Sequence, residues 1–216
     1  MPTTTAAPSP RLVRSTRPSG DAARDRIVAA AIDLFAERSY DGATTREIAA
    51  RAGVTQPLVN YHFRSKEELW RTAVDALFGR LDHTMYERTH GLRGVDEITA
   101  AKLLVREFIV FSARNPQLHR IIMQESKADG PRMDYLVDRH VRPIYERTVA
   151  MFESLAAAGA FPDIPAAHLY YILTGAGPTM FVLAPECRRL TSVDPLDEGV
   201  VDAHAEAVCR LLFGGT

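Results

Sequence analysis

The chain has 216 residues, 46% hydrophobic and 25% charged, which suits one large domain or two small ones and excludes a chain disordered throughout, a collagen-like repeat and a disulfide scaffold. Its only cysteines, Cys187 and Cys209, exclude a disulfide framework and a four-cysteine zinc site. The net charge of −1 hides an asymmetry: residues 1–66 hold ten Arg and Lys against six Asp and Glu, whereas residues 67–216 hold sixteen against twenty-one. A basic end on an acidic body is expected where one end meets phosphate.

Residues 1–20 carry four Pro, three Arg and no acid, with no apolar run, so they read as a disordered basic tail and not as a secretory signal. Arg11, Arg14 and Arg17 are either part of a leader without a role or an arm that lies along DNA. A helix is expected from about Asp21 to Arg38, with Ile27, Ala31, Leu34 and Phe35 on one face, closed by the turn Tyr40-Asp41-Gly42. Thr44-Thr45-Arg46-Glu47 fits a capping box that opens a short helix ending at Gly53. A second short helix spans about Gln56–Tyr61, with Thr55 as its cap and Pro57 tolerated in its first turn. Ser65-Lys66-Glu67-Glu68 is another capping box, opening a long helix with Leu69, Ala73, Leu77 and Leu81 on one face.

Further on, Ala101, Leu104, Val105, Phe108 and Ile109 mark a helix over 98–113, which Asn115-Pro116 breaks. A shorter helix runs to about Ser126, and a long one follows Asp129-Gly130-Pro131, kinked by Pro143. Pro162 and Pro165 precede the next helix, Pro185 ends it, and a last helix runs from about Asp194 to Phe213, stopped by Gly214-Gly215. Leu169–Pro185 is uncharged but interrupted by Gly175, Gly177 and Pro178, so it reads as a buried helix and not as a membrane span. The sum is an all-α chain of about nine helices, expected in the cytoplasm. Arginine outnumbers lysine 23 to 3, a lean towards a GC-rich bacterial genome.

Residues 44–63 have the spacing of a helix-turn-helix. Ala49 is small where two helices cross, Gly53 suits a left-handed turn, and Ile48, Val54 and Val59 fill the angle between the helices. Such a pair holds its second helix outward, so that Gln56, Pro57, Leu58, Asn60 and Tyr61 can enter a major groove.

The run TTREIAARAGVTQPLVNYHFRSKEEL, with AAIDLFAERSYDG before it, resembles the DNA-binding domain of the tetracycline repressor (TetR) family, over about Asp21–Leu81. The rest is similar to that family in length and helical plan. The resemblance implies an N-terminal three-helix DNA-binding domain over 21–81 and a C-terminal ligand-binding and dimerisation domain over 82–216. It further implies a homodimer on a palindromic operator, usually a repressor, released when a small molecule enters the C-terminal domain. Carried over by residue, Thr44 and Thr45 would touch phosphate, Thr55, Gln56, Tyr61 and His62 would lie at or near DNA, and Lys66 would contact phosphate. Asn60 departs from the family's usual Tyr and would read an adenine edge. Pro57-Leu58 replaces a small pair and favours apolar contact, for instance with a thymine methyl. Arg46 and Arg51 are either DNA-facing or solvated, Tyr61 and His62 either DNA-facing or packed, and Phe63 is expected in the core.

No G-x-S-x-G, H-E-x-x-H, Walker loop or Rossmann fingerprint is present, so no enzyme, metal or cofactor is expected. In the body, Phe108, Phe111, Met123, Tyr145, Phe152 and Tyr171 are candidates to line an apolar cavity for a hydrophobic or aromatic effector. The helices over 169–184 and 200–212 are expected to form a two-fold dimer interface of four helices. The competing reading is a DNA-binding activator or architectural protein whose body only dimerises or binds a protein partner.

Overall fold

The computed structural model describes residues 20–92, 94–159 and 164–214. The expected tail, Gly20 apart, lies outside them, as do Pro162 and Gly215. All regular structure among the described residues is helical. The first four helices are α1 (Gly20–Gly42), α2 (Thr45–Ala52), α3 (Gln56–His62) and α4 (Lys66–His90). Then come α5 (Glu97–Arg114), α6 (Pro116–Glu125) and a rod made of α7 (Pro131–Leu136), one turn of π-helix (Val137–Val141) and α8 (Arg142–Ala157). The chain closes with α9 (Ala166–Val182), α10 (Ala184–Thr191) and α11 (Glu198–Phe213). With the rod as one helix this is one more than expected, and the extra helix is α10. Pro185 was expected to end a helix; it stands instead in the first turn of α10, where its missing N–H costs nothing.

Other local departures have equally local causes. α1 kinks at Ser39, whose φ of 65° breaks the helix before the expected turn. Pro143 does not bend a continuous α-helix. Lacking an N–H for the carbonyl four residues back, it follows a widened turn in which the Arg142 N–H reaches the Val137 carbonyl. α11 starts at Glu198, not at Asp194, whose carboxylate pairs with Arg188 at 2.9 Å and accepts the Leu196 N–H at 3.1 Å. α9 is buried on one side only, through Leu169, Tyr170, Leu173 and Phe181, while Tyr171 and Ile172 face outward. No described helix is long and apolar enough to cross a membrane.

Two hydrophobic cores organise these helices. The first joins Ile27, Phe35, Ile48, Val59, Phe63 and Trp70 from α1–α4 and the α3–α4 turn to Phe111 of α5, Leu118 and Ile121 of α6 and Leu136 of α7. The second lies among α5, α8, α9 and α11, around Val105, Ile109, Phe152, Phe181 and Val208. Position 81, expected as a domain boundary, falls inside α4, and Leu81 belongs to the first core.

Candidate DNA-binding surface and effector cavity

The α2–turn–α3 unit is built by short-range chemistry. Glu47 N–H donates to Thr44 Oγ1 at 3.2 Å, Thr44 N–H donates back to the Glu47 carboxylate at 3.1 Å, and the Thr44 hydroxyl donates to it at 2.7 Å. The capping box therefore occupies both the hydroxyl and the N–H of Thr44, the groups expected to hold phosphate, and Thr45 is the neighbour whose N–H is not used by the cap. These bonds, led by the Thr44 hydroxyl, hold the Glu47 carboxyl below its ordinary range. Gly53 takes φ 63° and ψ 38°, and its N–H closes α2 on the carbonyls of Ala49 and Ala50. Ile48, Ala49 and Val59 are buried and Val54 is half-buried, filling the angle between the helices.

On α3, Gln56, Pro57, Asn60 and Tyr61 are exposed, and Leu58 and His62 are half-buried. Tyr61 is 82% exposed, which removes it from the core. The Asn60 side-chain amide has no hydrogen bond among the described residues, and Gln56 reaches the Thr45 hydroxyl only at 3.4 Å. Thr55 starts α3 with its backbone, but its side chain makes no capping bond. His62 packs between Tyr61 and Phe63, with Nε2 enclosed and unpartnered, and Phe63 is buried as expected. The second capping box is rearranged: Ser65 accepts the Glu68 N–H at 3.0 Å, but Glu68 takes the N–H of Arg64 at 2.9 Å, not that of Ser65.

The basic residues divide cleanly. Arg51 is spent on Glu37 through two bonds of 2.7 and 2.9 Å, which hold the Glu37 carboxyl down, and Arg38 pairs with Glu47. Arg46 is exposed and has no ion pair among the described residues. Lys66 Nζ lies 4.4 Å from the centre of the Tyr40 ring, and the Arg132 guanidinium of α7 lies 4.0 Å from it. Lys66 is thereby steered by an aromatic face and keeps its charge unpaired. No sequence signal links Arg132 to Tyr40, since 92 positions separate them along the chain.

A cavity of about 360 Å³ lies among α4, α5, α6, the rod and α9. Phe108, Met123, Tyr145 and Tyr171 border it, whereas Phe111 and Phe152 do not. Phe111 packs in the first core and Phe152 in the second. Both were expected at the cavity because periodicity identifies an apolar face without telling which of two cores that face meets. The wall also contains His119, a buried residue whose Nε2 lies 3.0 Å from Ser112 Oγ, and burial pushes its imidazole down to about 4.

The π-turn packs between part of this cavity and α4, whose Phe78 and Leu81 also line it. Val137 and Val141 border the cavity, while His140 Nε2 lies 2.7 Å from the Asp75 carboxylate of α4 and its ring stacks on Phe78 at 4.4 Å. The Tyr135 hydroxyl donates to the same Asp75 oxygen at 2.7 Å, and burial, reinforced by that carboxylate, pushes the phenol up to about 12. The rod that borders the cavity and α4 therefore share one polar clasp.

A helix-turn-helix head carried by an all-helical body is the architecture of a helix-turn-helix transcriptional regulator. A family profile described as "Bacterial regulatory proteins, tetR family" matches residues 27–73. The HTH-type transcriptional repressor KstR2 of Mycolicibacterium smegmatis is 30% identical over 154 residues, 68% of this chain and 72% of that one. The HTH-type transcriptional regulator RutR of Escherichia coli strain K12 is 23% identical over 194 residues, 90% of both chains. Among solved structures, AibR in complex with isovaleryl coenzyme A and operator DNA superposes with a TM-score of 0.73 at 15% identity, covering 90% of this chain and all of that one. The chain belongs to the TetR family.

Proposed function

We propose that this regulator is a ligand-responsive repressor that binds a palindromic operator as a homodimer in the cytoplasm, with residues 21–81 on the DNA and 82–216 holding effector and partner. The observation that carries the reading is the double duty of α6. One side borders the cavity through Leu118, His119, Ile122 and Met123. Its other side holds α1, with Gln117 donating to Asp33 at 3.0 Å and Gln124 to the Ala36 carbonyl at 3.0 Å. A ligand that moves α6 moves the helix on which the reading unit is packed, and it shifts DNA affinity by its preference between the two arrangements. The fold shared with AibR, solved with both an acyl thioester and an operator, supports a body that takes a ligand and a head that takes DNA.

The dimer is supported by the outer faces of α9 and α11, where Tyr171, Ile172 and Leu211 stand exposed beside the small residues Gly175, Ala176, Ala203 and Ala207. Such a face leaves apolar surface in water unless a second copy covers it. For the DNA, Thr45, Arg46, Thr55, Gln56, Asn60, Tyr61 and Lys66 are the contact set this reading uses.

The test is a fluorescence-anisotropy titration of the full chain against its own upstream intergenic DNA and a scrambled duplex, at two salt concentrations. Two protomers per site and a preference of about a thousandfold or more are expected for an operator. Equal, steeply salt-dependent binding to both duplexes moves the search to selection from random DNA. No binding to either at low salt overturns the reading.

A further inference from the structure

The serine and threonine hydroxyls on the cavity wall have already committed their protons. Ser126 Oγ donates to the Ile122 carbonyl at 2.7 Å, Thr174 Oγ1 to the Tyr170 carbonyl at 2.9 Å, and Thr179 Oγ1 to the Gly175 carbonyl. A hydroxyl has a single proton, so these oxygens can only accept from anything inside. Ser112 Oγ donates to the Phe108 carbonyl at 2.7 Å, and its proton being spent, it accepts the Nε2–H of His119 at 3.0 Å. That bond selects the Nε2–H tautomer and leaves Nδ1 as a lone-pair acceptor with no partner among the described residues.

Charge is equally restrictive. Among the described residues Arg142 is the one charged residue on the wall; its side chain is more than half exposed and pairs with Asp138 at 3.0 Å. An anion inside would find no buried cation, and desolvating it unpaired is costly. Protonating His119 to meet it works against the burial that holds the imidazole neutral. The phenols of Tyr145 and Tyr170, edge to face at 5.0 Å, are donors still available to a ligand oxygen.

We propose that the cavity takes a neutral apolar molecule bearing a hydroxyl, an alcohol or phenol, whose O–H donates to Nδ1 of His119. This rests on the reading of the cavity as the effector site and names what that site selects.

Three probes on one skeleton test it: biphenyl, 4-phenylphenol and biphenyl-4-carboxylate, titrated by calorimetry into the full chain and into His119→Phe. The phenol is expected to bind about tenfold tighter than biphenyl, the worth of one hydrogen bond, and the carboxylate weakest. His119→Phe should erase the preference for the phenol while still binding biphenyl. Should that variant fold poorly, Ser112→Ala serves, because it releases the tautomer and should narrow the same gap. A carboxylate that binds as tightly as the phenol, or a preference that survives both substitutions, overturns the proposal. If none of the three binds while the protein still holds DNA, the cavity reading falls with it and the DNA-binding reading stands.

Discussion

Asn60 and Lys66 stand on the same surface but meet different physics. Asn60 is exposed and unpartnered on α3, with an amide able to bond a base edge at two points. Lys66 is a point charge held over Tyr40, suited to any phosphate and blind to sequence. Asn60→Ala should therefore cost about 1–3 kcal/mol at particular base pairs, read by anisotropy against a panel of single-site operator variants. Lys66→Ala should weaken all duplexes alike and lower the salt slope by about one. Equal loss on specific and random DNA for Asn60→Ala would end its assignment as a base reader. His119 links stability to pH. Unfolded, its imidazole titrates near 6.5; folded, near 4, so in that window the unfolded chain holds the extra proton. The stabilisation is complete above the window and is lost as pH falls through it. Denaturation of wild type and His119→Gln should show an extra loss in wild type of about 2–3 kcal/mol between roughly pH 7.5 and pH 4.5.

At the scale of elements, the α2–α3 turn depends on one backbone geometry. Gly53→Ala meets open space apart from Arg26 at 4.0 Å, so its cost is conformational and not steric. It should lower unfolding stability by about 1 kcal/mol in urea, with DNA affinity falling alongside, because the left-handed cap is what aims α3. This unit was legible in the sequence because its determinants are neighbours: Thr44 with Glu47, Gly53 with Ala49, Ile48 with Val59. The body was less legible. Pro185 has the same residue type whether it stops a helix or starts one, and only the geometry after Val182 decides that it starts α10. Phe111 and Phe152 carry the right spacing for a cavity wall, yet Phe111 of α5 turns into the first core and Phe152 of α8 into the second. The Asp75–Tyr135–His140 clasp joins groups 60 and 65 positions apart, beyond any local pattern.

The whole molecule is proposed to act as a pair. Leu211 is 71% exposed on the outer face of α11, so Leu211→Glu should leave the fold intact and shift sedimentation from dimer to monomer. Affinity for a full operator should then fall towards that for a half-site. A stable dimer that ignores this change would move the interface elsewhere. Within each protomer the first core has a consequence for engineering. Ile27, Phe35 and Trp70 share it with Leu118 and Ile121 of α6 and Leu136 of α7, and α4 crosses position 81 without a break. The head is therefore not a detachable module. A chimera that transplants residues 21–81 onto another regulator's body would sever α4 and leave half a core on each side. A viable transplant has to bring α6 and α7 with it, or redesign their contact surface to suit the new host.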